Sequence, residues 1–254
     1  MRAVAAGLTD VGKERKHNED RYILLPEFGV FVVADGMGGH QSGEVASRMA
    51  ASSVAGYFRT GERGGSMRDK LLSALSDANS KIFARADDSR AHRGMGTTIV
   101  AAAYCPSDAM LYIAHAGDSR CYRVRDGRME QLTRDHSLLQ DALLERPDLT
   151  ESDLAYLPRN VITRALGIGP SVELDVRAEP AQAGDCFLLC SDGLHGLVTD
   201  ADMVKIVLES RTLTEACQAL ISRANANGGK DNITCVLMRI EDEDAPWADQ
   251  RLRR

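Results

Sequence analysis

What the chain lacks narrows its class first. No apolar run approaches the ~20 residues needed to cross a bilayer, and the opening MRAVAAGLTDVGKERKHNED meets charge before a signal-like segment can develop. A cytoplasmic protein with no membrane partner is therefore expected. Basic excess is also missing. Lys and Arg number 31 against 37 Asp and Glu, a net charge of −6, which argues against general affinity for a phosphate backbone and hence for nucleic acid. The six cysteines lack metal-ligand spacing. Cys186 and Cys190 lie an even number apart in the strand-like CFLLC, so both face one way among apolar neighbours, as reduced core thiols do. Internal repeats and long linkers are absent. The glycine-rich GMGGHQSGE lacks the Gly-Lys-Ser/Thr of a P-loop and the spacing of a dinucleotide fingerprint, which removes a nucleotide-binding reading.

What remains is 254 residues, 44% hydrophobic, enough for one large core. Two amphipathic helices are expected at about 44–58 and 67–82, where Val45, Met49, Val54 and Phe58, then Met67, Leu71, Leu75, Ala78 and Ile82, recur near helical spacing. The pattern then switches. TTIVAAAYC, MLYIAHA and SRCYRVRDGRMEQL read as successive strands, with a hairpin signal at Asp126-Gly127. Tight turns between adjacent strands mean antiparallel pairing and exclude a doubly wound parallel sheet. A polar, proline-containing piece occupies about 137–164. Next come a strand at 186–190, short helices near 200–210 and 213–225, and a closing strand NITCVLMRI. The fold class is α+β, and the domain is expected to end near Ile240. The charged residues 241–254 form a tail whose Trp247 is either a docking anchor or part of a frayed terminus.

Carboxylates recur where apolar runs meet turns: Asp35 after VFVVA, Asp118 after LYIAHA, Asp192 after CFLLC, and Asp231 before ITCVLM. Each alone is ordinary turn or cap chemistry. Converging on one sheet edge, they would repel one another unless a cation neutralised them. Glu19 and Asp20 in RKHNED add two more acids, with Arg15 close by. An oxygen-only donor set points to hard ions, Mg²⁺ or Mn²⁺, rather than zinc.

RKHNED, VADGMGGHQSGEVAS, GMGTTIVAA, AGDSRCYRVRDG, LTRDHS, VITRALG, LLCSDGL and KDNIT resemble, in order, the motifs of the metal-dependent Ser/Thr protein phosphatases, the type 2C or PPM family, in its compact bacterial form. The resemblance covers about 9–240. It implies a four-layer α-β-β-α sandwich of two antiparallel sheets flanked by helix pairs, a catalytic domain over 1–240, and a flap at about 137–164. By position, Asp20, Asp35, Asp192 and Asp231 resemble the acidic metal ligands, with Asp35 bridging two ions and the Gly36 carbonyl joining one of them. Glu19 would act through water. Asp118, with Asp192, resembles the ligands of a third, weaker ion, and Arg15 resembles the phosphate-binding arginine, whose planar fork suits two oxygens.

The resemblance also implies direct attack on phosphoSer or phosphoThr by a hydroxide held between two metals, without a phosphoenzyme. Phosphorylated proteins, and a cognate Ser/Thr kinase acting in opposition, are the implied partners of a monomer. His40 has a side chain suited to proton transfer. Many relatives place a histidine directly after the Asp-Gly pair, where Met37 stands here, so general acid and loop-structuring roles both stay open for His40. His115 and His136 are expected to be structural, and the hydroxyls of Thr97 and Thr98 to be available near the ligands. The rival class is a non-catalytic phosphoprotein-binding module, which loss of the acids would signal; all are present.

Overall fold

The computed structural model describes residues 1–38, 41–61, 64–88, 92–150, 153, 157–158 and 161–242. The strands are β1 Arg2–Asp10, β2 Asp20–Leu25, β3 Val30–Met37, β4 Gly96–Thr97, β5 Ile99–Cys105, β6 Met110–Ala116, β7 Arg120–Arg125, β8 Arg128–Gln131, β9 Asp175–Pro180, β10 Cys186–Cys190 and β11 Ile233–Glu241. The helices are α1 Gln41–Arg59, α2 Met67–Asp88, α3 Leu138–Glu145, a single turn α4 Asp192–His195, α5 Asp200–Glu209 and α6 Leu213–Ala226.

Two sheets result, in the orders β1-β11-β10-β7-β8 and β2-β3-β5-β6-β9, with β4 pairing β3. Every described ladder is antiparallel. Both central sheets are apolar on both faces, because each packs on the other sheet and on helices. In β3, Val30, Val32 and Ala34 face α1 and α2, while Phe31 and Val33 face the opposite sheet. In β11, Ile233, Cys235 and Leu237 face α5 and α6, while Val236, Met238 and Ile240 enter the space between the sheets. This two-sided burial explains the continuous apolar runs, which strict alternation would have broken with polar residues. Cys186, Leu188 and Cys190 do share one face, and all six cysteines are free. Asp126 and Gly127 make the β7–β8 turn, both at positive φ.

Three local expectations need correction. Asp35 does not end its strand: β3 runs on to Met37 because Gly36 and Met37 pair with Thr97 and Gly96 of β4. TTIVAAAYC is two strands broken at Thr98, whose backbone N–H turns to the Asp35 carbonyl at 2.9 Å. The segments 2–10, 20–25 and 175–180 are strands that pattern reading passed over, since their mixed residues sit at or near sheet edges, partly exposed. Among the described residues no helix is long and apolar enough to cross a membrane.

Candidate metal centre

The two sheets place acids from five separate segments at one end of the sandwich. Asp20 opens β2 opposite Asp35 in the β2–β3 register. Asp192 begins α4 directly after β10, and Asp231 lies just ahead of β11. Asp118 lies in the turn after β6. Asp35 is within side-chain hydrogen-bonding reach of both Asp20 and Asp192. Two carboxylates in such contact require a shared proton or a cation between them.

The electrostatics reflect that crowding. Burial raises the Asp20 carboxyl to about 6, and Asp192 adds to the shift. Burial and the charges of Asp20, Asp192, Asp118 and Asp231 hold Asp35 well above the carboxylate range. Asp118 is raised to about 7 by burial and by Asp192 and Asp135. Burial and Asp231 raise Asp192 too. Asp20 is fully buried, and both its Oδ1 and the Oδ1 of Asp192 are buried with no hydrogen-bond partner. Orphaned carboxylate oxygens are costly in a native fold. Together with the oxygen-only donor set, they fit a hard divalent cation.

Close backbone approach holds the acids in place. A Cβ on Gly36 would stand 2.1 Å from the Gly43 carbonyl oxygen, so α1 can start directly over the Asp35-Gly36 peptide only if that residue has no side chain. A Cβ on Gly193 would stand 1.9 Å from the Asn232 carbonyl, which seats Asp192 beside Asp231. Ser191 Oγ donates to Asp20 Oδ2 at 2.8 Å and accepts from the Thr234 amide at 3.0 Å, tying β10, β2 and β11 together.

Asn232 is the residue that pattern reading missed. Its Oδ1 accepts the Glu19 amide at 2.8 Å, while its Nδ2 donates to the carbonyls of Val11 and His17 at 2.9 and 3.0 Å. One amide thereby closes the loop that carries Arg15 and Glu19 over Asp231. The signal was the KDNIT string, in which the asparagine adjoins a predicted ligand. Arg15 Nη2 donates to Asp231 Oδ2 at 2.7 Å, and half of its side chain stays exposed at the mouth of the site. Glu19 is raised by burial and by Asp231 and Glu44, against the pull of Arg15 and His17.

Thr97 and Thr98 do not reach the carboxylates. Thr97 Oγ1 donates to the Asp35 carbonyl at 2.8 Å, and Thr98 Oγ1 accepts the Asp35 amide at 3.2 Å and bonds Ser119 at 2.7 Å. They fix the backbone of Asp35. His195, pushed down to about 4 by burial and Arg120, stays neutral and donates from Nε2 to the Asp118 carbonyl at 3.0 Å. His40 lies outside the described residues, as does Trp247.

His115 and His136 form a separate grouping with Asp175. His115 Nε2 donates to the Arg134 carbonyl at 2.8 Å, and His136 Nδ1 accepts the Gly117 amide at 3.2 Å. Their rings stack with centroids 4.5 Å apart, and His136 Nε2 faces Asp175 at 3.3 Å. His115, His136 and Asp175 have ligand atoms within 4.8 Å of one another, but Arg164 already holds Asp175 Oδ1 at 2.8 Å. A cation there would have to displace the guanidinium, so the grouping is a structural tie.

The piece beginning at Ser137 carries α3, capped by the Ser137 hydroxyl on the Gln140 amide and without a buried residue. Its base is closed by a Ser137–Ile162 bridge. Asp148 is held by Arg146 in two bonds of 2.9 and 3.0 Å, and Asp153 caps Thr150. Those acids have local partners at the surface, as a solvated loop requires.

Two stacked antiparallel sheets with outer helix pairs and an acidic cluster at one end define a metal-dependent phosphatase of the α-β-β-α class. Residues 13–238 match the family described as Protein phosphatase 2C, and the chain belongs to it. It is 39% identical over 240 residues to the serine/threonine phosphatase Stp of Listeria innocua, covering 91% of this chain and 93% of that protein. Protein phosphatase PhpP of Streptococcus pneumoniae is 35% identical over 244 residues, 94% and 98% of the two chains. The Mycobacterium tuberculosis serine/threonine phosphatase PstP/Ppp superposes with a TM-score of 0.86 at 34% identity, over 95% of this chain and 100% of that one. The catalytic domain of PstP in complex with two manganese ions gives 0.84 at 34% identity, over 95% and 99%. The chain is accordingly a phosphoprotein phosphatase of the Ser/Thr class.

Proposed function

We propose that this chain hydrolyses phosphoserine and phosphothreonine in proteins with Mn²⁺ or Mg²⁺ held by Asp20, Asp35, Asp192, Asp231 and the Gly36 carbonyl. Glu19 acts through water, and Asp118 and Asp192 hold a third, weaker ion. The observation that carries this reading is the pair of buried, partnerless oxygens, Asp20 Oδ1 and Asp192 Oδ1, beside an Asp35 carboxyl that contacts both residues. When bound, the ions supply Lewis-acid activation of water and neutralise phosphoryl charge.

The chain's own groups do the positioning. Arg15, exposed at the mouth and anchored through one Nη to Asp231, has further N–H groups to present to two phosphoryl oxygens, which aligns the ester for in-line displacement. Asn232 fixes the loop that carries it. Ser191, Thr97 and Thr98 hold Asp20 and Asp35 so that no carboxylate has to move during the reaction. The leaving alkoxide takes its proton from solvent or from His40.

The catalytic domain spans 1–240, with 137–164 as a flap beside the cleft that selects among phosphoproteins, and 241–254 as a tail. The protein works as a cytoplasmic monomer opposing a cognate Ser/Thr kinase. Hydrolysis of p-nitrophenyl phosphate should require added Mn²⁺ or Mg²⁺, stop with chelator and recover on replenishment. Full turnover in a metal-free sample would overturn the reading. Loss of turnover in Asp192→Asn with the fold intact would exclude the rival binding module.

A further inference from the structure

At the end of the sandwich opposite the acids lies a cavity of about 420 Å³ that the reaction does not use. Pro26 and Phe28 at the β2–β3 turn, Tyr57 and Phe58 at the end of α1, Met67 at the start of α2, and Tyr104 at the end of β5 line it. Phe28 and Phe58 have ring centroids 6.3 Å apart, and Tyr57 meets Phe58 edge-on at 5.6 Å. An aromatic cavity of this size is suited to a flat apolar group. Two cations, Arg2 and Lys70, and one acid, Glu27, also line it, and Lys70 has no ion-pair partner among the described residues.

The chain's own end leaves the fold beside this cavity. In the β1–β11 ladder Arg2 stands opposite Glu241, and their side chains bond at 3.3 Å. The described chain stops one residue later, at Asp242. The remaining twelve residues are EDAPWADQRLRR, so that three consecutive acids, Asp242 to Asp244, stand ahead of Trp247, the only tryptophan in the sequence. Five residues of extended chain reach about 17 Å, ample from a strand whose register partner already lines the cavity. The acids would pass Arg2 and Lys70 as the indole arrives, and charge and shape match in that order.

We propose that this cavity is the seat of Trp247, so that the C-terminal tail folds back as a latch joining the edge strand β1 to the ends of α1 and α2. The seat is separated from the acids by the length of β2, since Asp20 opens that strand and Leu25 closes it. The latch therefore governs the stability of this end and the direction in which the tail leaves, while small-ester chemistry is independent of it.

Because Trp247 is the sole tryptophan, its emission reports the seat directly in the full-length protein. Emission blue-shifted from that of free tryptophan, with severalfold weaker acrylamide quenching, is expected. Met67→Asp should shift emission to the red and restore quenching with unchanged far-UV circular dichroism. Lys70→Glu should increase quenching in the same direction, and it decides the matter if Met67→Asp does not fold. Truncation after Asp242 should lower Tm and leave p-nitrophenyl phosphate hydrolysis unchanged. Water-like emission in the full chain would overturn the proposal, as would a blue shift that ignores both substitutions. A blue shift lost on dilution would place the indole in a second copy and equally refute the latch.

Discussion

Chelation at rising pH should loosen this protein, and the acidic cluster sets by how much. Acids whose folded pKa is raised bind protons in the fold that the unfolded chain has already released, so their effect is to lower stability as pH rises between the two values. Buried neutral histidines act oppositely. His115, His136 and His195, all depressed first by burial, stabilise increasingly as pH rises, but only up to the unfolded value of about 6.5. Above that the acids act, joined toward pH 8.5 by the buried Cys121, Cys186 and Cys190, whose thiols burial raises. From about pH 6.5 to 8.5, Asp118, at about 7, contributes roughly 0.8 kcal/mol, and Asp20, at about 6, has nearly finished titrating. Asp35, held well above the carboxylate range by burial and four neighbouring acids, shifts stability in the same direction. Asp118 by itself lowers Tm by roughly 2–3 °C for a chain of this size. Scanning calorimetry in chelator over this pH range measures it directly. Saturating Mn²⁺ should flatten the slope, because the cation binds the deprotonated site. Asp35→Asn should flatten it in chelator, raise Tm at the alkaline end, and abolish turnover. A metal-free Tm that is flat or rises across the window would refute the assignment of these pKa shifts to mutual repulsion.

Arg15→Lys should raise KM for a phosphorylated substrate by about 1–3 kcal/mol of lost binding, with metal affinity little changed, because a point charge cannot reproduce two parallel bonds; steady-state kinetics at saturating Mn²⁺ checks it. Asn232→Ala removes three hydrogen bonds to the 11–19 loop and should cost about 2–4 kcal/mol in denaturant unfolding while raising KM, through Arg15. Gly193→Ala should lower metal affinity by calorimetric titration, because its Cβ would force the Asn232 carbonyl away from Asp192. Asp148→Ser with Asp153→Ser should leave small-ester hydrolysis intact and alter kcat/KM among phosphopeptides of different charge, since both residues sit at the surface of the piece proposed as a flap.

The sequence by itself marked the helices expected at about 44–58 and 67–82, which run over 41–59 and 67–88, together with the hairpin at Asp126-Gly127 and the antiparallel class, because helical spacing and turn chemistry are local. It also marked the acids, since a carboxylate abutting an apolar strand is visible in one dimension. The strands at 2–10, 20–25 and 175–180 were not visible, because a partly exposed strand lacks a clean pattern until its neighbours exist. Only tertiary structure decided that Asp20 and Asp35 face each other across a ladder, that Thr97 and Thr98 hold backbone rather than carboxylate, and that Asn232, more than 200 residues from Glu19, closes its loop. Those choices depend on which strands stack. Burial and mutual repulsion, which set these acids apart from ordinary turn residues, exist only after two sheets have brought their ends together.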